Sequence, residues 1–257
     1  MDRMGGAWQA VRMSRKRADV LLVERGLFES RAKARAAIEA GGVVADGQVI
    51  ARASELLDET AAIRAQAAHP WVGRGALKLL HALELWPVEV EGRVVLDVGA
   101  STGGFTQVCL QRGAARVYAV DVGSGQLHPK VAVDPRVVEL SGVDARSLDA
   151  ALIPQPPGLI VSDVSFISLT KALPAALALA GPGADLVCLV KPQFEAGREH
   201  VGKGGVVKDE DARERTVREV TAFLEASGWS VQARAESPIT GGGDGNIEYL
   251  LWATKAA

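Results

Sequence analysis

The stretch that decides the fold of this 257-residue chain is VVLDVGASTGGF, residues 94–105. It starts with an apolar run that contains one acid, Asp97, continues into a glycine-rich turn, and reaches Phe105 where a helix is expected to begin. Strand, tight turn and helix in this order are typical of a doubly wound α/β sheet, in which ligands bind outside the carboxyl ends of parallel strands. Backbone N–H groups at such a turn can approach a ligand closely.

The spacing of the glycines indicates which ligand the turn could hold. Gly99, Gly103 and Gly104 give G-x-x-x-G-G, which differs from the G-x-G-x-x-G of dinucleotide sites. Asp97, just ahead of the turn, would repel a pyrophosphate but could pair with the amino group of S-adenosylmethionine. Asp121 closes the next predicted strand, where an acid commonly accepts hydrogen bonds from ribose hydroxyls. The alternative is that the glycines only shape a turn and that both acids are solvated strand ends.

We therefore predict a site for S-adenosylmethionine, with Asp144 placed to meet the adenine amino group. The predicted cofactor-binding residues are Asp97, Gly99, Ser101, Gly103, Gly104, Phe105, Asp121 and Asp144.

Beyond residue 71, apolar strand patterns alternate with helical patterns, which predicts a mostly parallel sheet covered on both faces. Strands are expected at 94–98, 116–121, 137–140, 159–163, 186–190, 230–235 and 247–253. Helices are expected near 76–85, 105–112, 169–180 and 209–227. The predicted fold class is thus α/β, with a doubly wound, seven-stranded, Rossmann-like sheet.

The first 70 residues follow a different pattern. A short helix from Ala18 should stop at Gly26, and a second should begin after Ser30 as N-cap and end at residues 41–42. Asp46-Gly47 between two apolar runs predicts a β-hairpin. The expected organisation is a tail over 1–16, a small α+β domain over 17–62, a linker over 63–70 and the α/β domain over 71–257.

The distribution of charged, cysteine and apolar residues limits which partners the protein can bind. The net charge is −2, but residues 1–70 hold 11 basic and 9 acidic residues, and residues 12–35 hold 8 basic and 3 acidic. Any contact with nucleic acid should therefore come from a basic N-terminal patch. Cys109 and Cys188 lie far apart in apolar contexts, so we expect no metal site and no disulfide, as in a reducing cytoplasm. Residues 172–190 are apolar but interrupted, so we expect no membrane span.

The chemistry of the acceptor can be narrowed by elimination. The sequence Asp163-Val164-Ser165-Phe166 lacks the proline-containing tetrad of amino-group methylases, and neither cysteine is placed as a nucleophile for carbon methylation. A hydroxyl acceptor remains, and its proton must leave as the methyl group arrives.

Three ionisable residues could assist this proton transfer. Lys191 and Asp163 follow neighbouring predicted strands, and Glu248 is a charge within the last one. For any one of them alone, a salt bridge at a strand end is the simpler interpretation, and Lys78 by chemistry alone is an exposed helix lysine.

These motifs together resemble the TlyA family of ribosomal RNA methyltransferases, whose members are often called haemolysins. The segments that carry the resemblance are Gly75-Ala76-Leu77-Lys78-Leu79, residues 96–105, residues 163–169, residues 190–195 and Gly245-Asn246-Ile247-Glu248-Tyr249. The family joins an S4-type RNA-binding domain to an FtsJ-like methyltransferase domain. The resemblance implies a catalytic tetrad of Lys78, Asp163, Lys191 and Glu248, and 2′-O-methylation of cytidine ribose in the RNA of ribosomal subunits.

Residues 17–50 resemble the S4 domain, which implies contact with RNA. The predicted RNA-binding residues are Arg17, Arg25, Arg31, Lys33 and Arg35. Arg31 and Arg35 are one helical turn apart and could meet successive phosphates. The alternative is a solvated cationic face. Two other functions stay open on sequence: a non-catalytic RNA-binding assembly factor, and a membrane-active haemolysin.

Overall fold

The computed structural model describes residues 14–241 and 245–256. The chain divides into two compact units, with the boundary between Pro70 and Trp71. We call them the N-terminal unit and the C-terminal unit. Within the described residues, none of the helices combines the length and the apolar composition that crossing a membrane requires.

The N-terminal unit packs two helices against short strands. Its elements are β1 (Arg15–Arg17), α1 (Ala18–Glu24), α2 (Arg31–Glu39), β2 (Val43–Ala45), β3 (Gln48–Val49), β4 (Leu56–Asp58) and β5 (Ile63–Ala65). Ser30 caps α2 by accepting a hydrogen bond from Lys33 N. Asp46 and Gly47 both have positive φ, as a two-residue hairpin turn between β2 and β3 requires. The two predicted helices and the hairpin are confirmed.

Two boundaries expected for the N-terminal unit are wrong. β1 lies partly in the expected tail and pairs with β4, and residues 13 and below lie outside the described residues. β5 lies in the expected linker and pairs with β2 in a three-stranded sheet. Three-residue strands are too short for an alternating pattern to emerge, so the sequence gives no periodic signal for them.

The C-terminal unit is built on one sheet with helices on both faces. Its helices are α3 (Gly75–Leu85), α4 (Gly104–Gln111), α5 (Pro129–Ala132), α6 (Leu169–Ala172), α7 (Pro174–Leu179), α8 (Pro192–Glu195) and α9 (Glu210–Ala226). Its strands are β6 (Val94–Val98), β7 (Arg116–Asp121), β8 (Val137–Ser141), β9 (Leu159–Ser162), β10 (Asp185–Val190), β11 (Trp229–Glu236) and β12 (Tyr249–Lys255). The predicted seven-stranded sheet is confirmed.

The strand order is β11-β12-β10-β9-β6-β7-β8, and β12 runs antiparallel to both of its neighbours. Every residue of β9 and β10 is buried, as expected for central strands covered on both faces. The expected helix over 169–180 is instead two helices, α6 and α7. Pro174 lacks the N–H that would continue the first helix, and it begins the second.

The sheet topology brings distant residues to one edge. The parallel strands β6, β7, β9 and β10 all end there. Because β12 is antiparallel and Tyr249 pairs with Val190, β12 starts where β10 ends. Glu248, which the sequence placed inside a strand, precedes β12 and lies at this edge.

Candidate active site

Four charged side chains from four separate elements meet at the carboxyl edge of the sheet. Lys78 comes from α3, Asp163 follows β9, Lys191 follows β10 and Glu248 precedes β12. Lys78 Nζ lies 2.6 Å from Glu248 Oε2 and 3.6 Å from Asp163 Oδ2. Lys191 Nζ lies 2.7 Å from Asp163 Oδ1. The structure thus joins the four residues in one chain of ion pairs, with Asp163 between the two lysines.

The tetrad is unusually buried for charged groups. Lys78, Lys191 and Glu248 are 7%, 6% and 2% exposed. Charged side chains are rarely buried to this extent unless they are paired. Two ammonium groups face two carboxylates here, so the formal charges balance. The pairing accounts for burial of all four, and Asp163 keeps the largest exposed fraction.

Three further residues fix the tetrad, and sequence reasoning missed them. Lys191 Nζ donates to Ser165 Oγ at 2.9 Å, and Gln193 Nε2 donates to Glu248 Oε1 at 3.4 Å. A Cβ on Gly241 would lie only 2.6 Å from Glu248 Oε1, so this glycine leaves room for the carboxylate. Two of these residues could have been found from the sequence, because Ser165 and Gln193 each stand two residues after a tetrad member.

The loop after β9 presents an aromatic ring outward. Phe166 has φ +66°, a left-handed conformation that bulky residues rarely adopt. Its side chain is 91% exposed, and its ring lies 5.1 Å from that of Phe194. Strained residues of this kind persist only where their surroundings hold them, and they cluster at functional sites.

A cavity of about 510 Å³ opens beside this loop. Such a volume falls within the roughly 300–1,000 Å³ of small-molecule sites. Residues at the ends of the four strands β6, β7, β8 and β9 line it, including Gly99, Ser101, Asp121, Gln126, Asp144, Arg146, Asp163, Ser165 and Phe166. Asp163 therefore belongs both to the tetrad and to the cavity wall, which places the tetrad directly beside the cavity.

The glycine-rich turn shapes one side of this cavity. Gly99 has φ +85°, and a Cβ there would meet Val164 at 3.0 Å. Asp121 accepts hydrogen bonds from Ser101 N and Gly123 N, each at 2.8 Å. Each carboxylate oxygen has further lone pairs, so Asp121 can still accept from a ligand.

Comparison with known proteins identifies the two units. Residues 71–255 match the FtsJ-like methyltransferase family, and residues 16–63 match the S4 domain. The chain belongs to the FtsJ-like methyltransferase family. Its C-terminal unit is a methyltransferase domain, as the sequence predicted, and its N-terminal unit carries the S4 domain.

Individual relatives cover most of the chain. The 16S/23S rRNA (cytidine-2′-O)-methyltransferase TlyA of Mycobacterium tuberculosis is 46% identical over 93% of this chain and 89% of its own length. Hemolysin A of Brachyspira hyodysenteriae is 38% identical over 91% of this chain and 98% of its own. A solved structure of a Streptococcus thermophilus protein described as a hemolysin is 41% identical, with a TM-score of 0.75, over 95% of this chain and 90% of that one. The predicted resemblance to the TlyA family is confirmed.

The residues predicted to bind the cofactor do not all line the cavity of the methyltransferase domain. Gly99, Ser101, Asp121 and Asp144 do. The side chain of Phe105 instead packs in the hydrophobic core, because it is the second residue of α4 and faces inward. The other cofactor candidates, Asp97, Gly103 and Gly104, are buried, and their direct contact with a ligand stays a prediction.

Asp97 is a buried acid in β6, two residues before Gly99 of the cavity wall. It is 0% exposed, and Thr106 Oγ1 donates to its Oδ2 at 2.6 Å. Among the described residues, Oδ1 has no hydrogen-bond partner. Burial raises the pKa of Asp97 to about 7, and the Thr106 hydrogen bond opposes only part of that rise.

Asp144 is engaged by a neighbour. Arg146 donates to both of its oxygens, and this hydrogen bonding lowers the pKa of Asp144 to about 2. Arg146 also lines the cavity and was not predicted. Any contact between Asp144 and a ligand therefore involves a carboxylate already held by a guanidinium group.

The predicted RNA-binding residues have partners within the N-terminal unit. Arg17 and Arg31 both bind Asp19, and these bonds, with Arg17 first, lower its pKa to about 2. Arg25 donates to the backbone carbonyl groups of Glu59 and Ala61.

The two remaining cations each pair with an acid four residues away in sequence. Lys33 pairs with Glu29, and Arg35 pairs with Glu39. Arg25 thus has a structural contact that the sequence did not reveal. The role of all five cations in binding RNA stays a prediction.

Proposed function

We propose that this protein transfers a methyl group from S-adenosylmethionine to the 2′-hydroxyl of a cytidine ribose in ribosomal RNA. The observation that carries the proposal is the buried tetrad beside a ligand-sized cavity, at the edge of the sheet where ligands of such folds bind. The relative named as a 16S/23S rRNA (cytidine-2′-O)-methyltransferase supports the choice of substrate.

The cavity suits S-adenosylmethionine, which supplies a methyl group on a sulfonium centre when bound. Asp121 would hold hydroxyl groups of the cofactor, since both of its oxygens are already oriented by backbone N–H groups. Gly99 would let the backbone approach the cofactor, because the adjacent Val164 leaves no room for a side chain. At the cavity wall, Asp144 offers a hydrogen-bond acceptor and Arg146 offers donors for the adenine base of the cofactor.

The tetrad would position the acceptor hydroxyl and take up its charge. Lys78 lies between two carboxylates, whereas Lys191 contacts Asp163 and the neutral oxygen of Ser165. Lys191 is thus the lysine better placed to meet a substrate oxygen. Once its ammonium group has released a proton to solvent, its neutral amine can accept the hydroxyl proton, and Asp163 would stabilise the ammonium ion that forms again. Lys78 and Glu248 would hold Asp163 in place. Positioning and proton transfer together are the two contributions this chemistry requires.

The outward surfaces suit RNA. Phe166 presents a nearly fully exposed ring at the cavity rim, and unstacked bases of RNA stack on such rings. In the N-terminal unit, Arg31 and Arg35 have side chains that are 60% and 64% exposed. Exposed ion pairs such as Arg35–Glu39 are weak, so a phosphate can displace the carboxylate.

The test is to incubate isolated ribosomal subunits with S-adenosylmethionine carrying a labelled methyl group and to map the labelled nucleotide. We expect label on the ribose of a cytidine. Lys191→Met should lower transfer by about 10²-fold or more while cofactor affinity, measured by calorimetry, changes little. Lys171→Ala on the exposed surface of α6 is the matched control and should keep full activity.

Three results would contradict the proposal. Label on a base would exclude 2′-O-methylation. Binding of subunits without any transfer would indicate an RNA-binding assembly factor, and leakage of vesicles in place of transfer would indicate a membrane-active protein. Undiminished transfer by Lys191→Met would remove Lys191 from the mechanism.

A further inference from the structure

The short helix α8 makes contacts that the tetrad does not explain. It begins directly after Lys191 and ends at Glu195. The carboxylate of Glu195 accepts two hydrogen bonds from the loop that follows β9. Ser168 Oγ–H donates to Oε2 at 2.6 Å, and Leu169 N–H donates to Oε1 at 2.8 Å. Both oxygens of Glu195 are therefore bound to the start of α6.

These bonds connect α8 to the same loop that carries Asp163, the partner of Lys191. At one end, Lys191 Nζ contacts Asp163 Oδ1 at 2.7 Å. At the other end, Glu195, four residues after Lys191, accepts the hydrogen bond from Ser168, five residues after Asp163. Between these ends, the rings of Phe166 and Phe194 are in contact. The loop over 163–168 is thus held at its beginning by Lys191 and at its middle and end by Phe194 and Glu195 of α8.

Two features of the loop indicate that the Glu195 contacts help to hold its shape. Phe166 is held at φ +66°, a conformation that an unrestrained aromatic residue leaves. Burial raises the pKa of the Glu195 carboxyl, which is the sign of a charge in an unfavourable environment. Charge-assisted hydrogen bonds from Ser168 and Leu169 offset that burial. Without Glu195, Leu169 N–H would lose its partner and the strained loop could relax.

We propose that Glu195 is a positioning residue for methyl transfer. Its carboxylate fixes the 163–168 loop so that Asp163 and Ser165 meet the ammonium group of Lys191. Glu195 acts on the reaction through this loop, since the groups it binds are Ser168 and Leu169 and not the tetrad. The inference rests on the proposed methyl transfer.

The experiment compares Glu195→Ala, Glu195→Gln and the control Glu225→Ala, which removes an exposed glutamate from α9. Steady-state methylation of subunits gives kcat and KM. We expect Glu195→Ala to lower kcat by about 10- to 100-fold, the effect of an ångström-scale displacement of reacting groups. KM for subunits and cofactor affinity should change by a smaller factor than kcat, because the loop supplies only part of the cavity wall and Asp121 and Asp144 lie outside it.

Glu195→Gln tests whether the hydrogen bonds alone are enough to restore kcat. Its amide oxygen can accept from Leu169 N–H, and its NH₂ group can donate to the Ser168 hydroxyl, so both bonds can form. Its kcat should recover most of the loss. If Glu195→Ala folds poorly, Ser168→Ala removes one of the two bonds and should lower kcat by a smaller factor. Hydrogen exchange should show faster exchange of the Leu169 amide in Glu195→Ala.

The outcomes separate the two proposals. If wild-type protein transfers no methyl group, the proposed function fails. If wild type is active and Glu195→Ala matches it in kcat, the positioning role is refuted. A glutamine variant as slow as the alanine variant would also refute it, because the bonds and not the charge are held responsible.

Discussion

Replacing Asp97 by asparagine should change how the stability of the methyltransferase domain depends on pH. Burial raises the pKa of this acid from 3.8 to about 7. The folded state therefore binds more protons than the unfolded state between about pH 4 and 7, so stability falls as pH rises through that window. A shift of about three pH units corresponds to roughly 4 kcal/mol in total, since one unit is about 1.4 kcal/mol. Between pH 5 and 8 the loss is about 2–3 kcal/mol.

Asp97→Asn removes this titration, and any effect of the amide on packing is independent of pH. The free energy of unfolding of the variant, minus that of wild type, should therefore rise by about 2–3 kcal/mol from pH 5 to pH 8. Urea unfolding followed by tryptophan fluorescence reports on this domain, because four of the five tryptophans lie in it. Asp134→Asn is the control, since its carboxyl has a lowered pKa and stays ionised across this range. A difference that does not vary with pH for Asp97→Asn would refute the reasoning.

Three further substitutions have defined outcomes. Gly241→Ala would place a Cβ 2.6 Å from Glu248 Oε1 and should lower methyl transfer at least tenfold in the subunit assay, whereas Gly181→Ala, with ordinary contacts, should not. Asp19→Asn should destabilise the N-terminal unit by about 1–2 kcal/mol at pH 7, measured by hydrogen exchange; this contribution in wild type should disappear as pH falls from about 4 through about 2. Asp121→Ala should weaken cofactor binding by about tenfold or more in calorimetry.

Much of the fold could be predicted because its signal is local. The strands β9 and β10 are continuous apolar runs, and an apolar run between turn residues identifies a buried strand. The three-residue strands β1 and β5 carry no such signal, because their pairing partners and not their sequence decide their conformation. Pro174 did signal a helix break, and the predicted helix over 169–180 wrongly ran through it.

The site could be predicted only in part. Asp163 and Lys191 follow adjacent parallel strands, so their proximity follows from the topology. Lys78 lies on a helix, where a lysine is usually exposed, and only the family resemblance pointed to it. The burial of Asp97 could not be predicted, because a strand pattern does not indicate whether a residue near the strand end faces the cavity or the core.

The contact between Glu195 and Ser168 depends on two loop conformations that no periodicity encodes. It joins residues that are distant in sequence, and neither residue belongs to a strand. Contacts of this kind become visible only once both strand exits have been placed in space.

Unfavourable features collect at the edge of the sheet that carries the tetrad. Asp97 is ionised in a buried place above pH 7, and Phe166 is held in a left-handed conformation. The fully buried strand β9, which pairs with β6 and leads into the Phe166 loop, supplies the rigidity that such features require. Asp97→Asn removes a destabilising charge at pH 8, whereas Glu195→Ala removes two stabilising hydrogen bonds. The stability of Asp97→Asn relative to wild type should vary with pH, so a fall in kcat that does not follow that variation would have to come from the geometry of the site and not from unfolding.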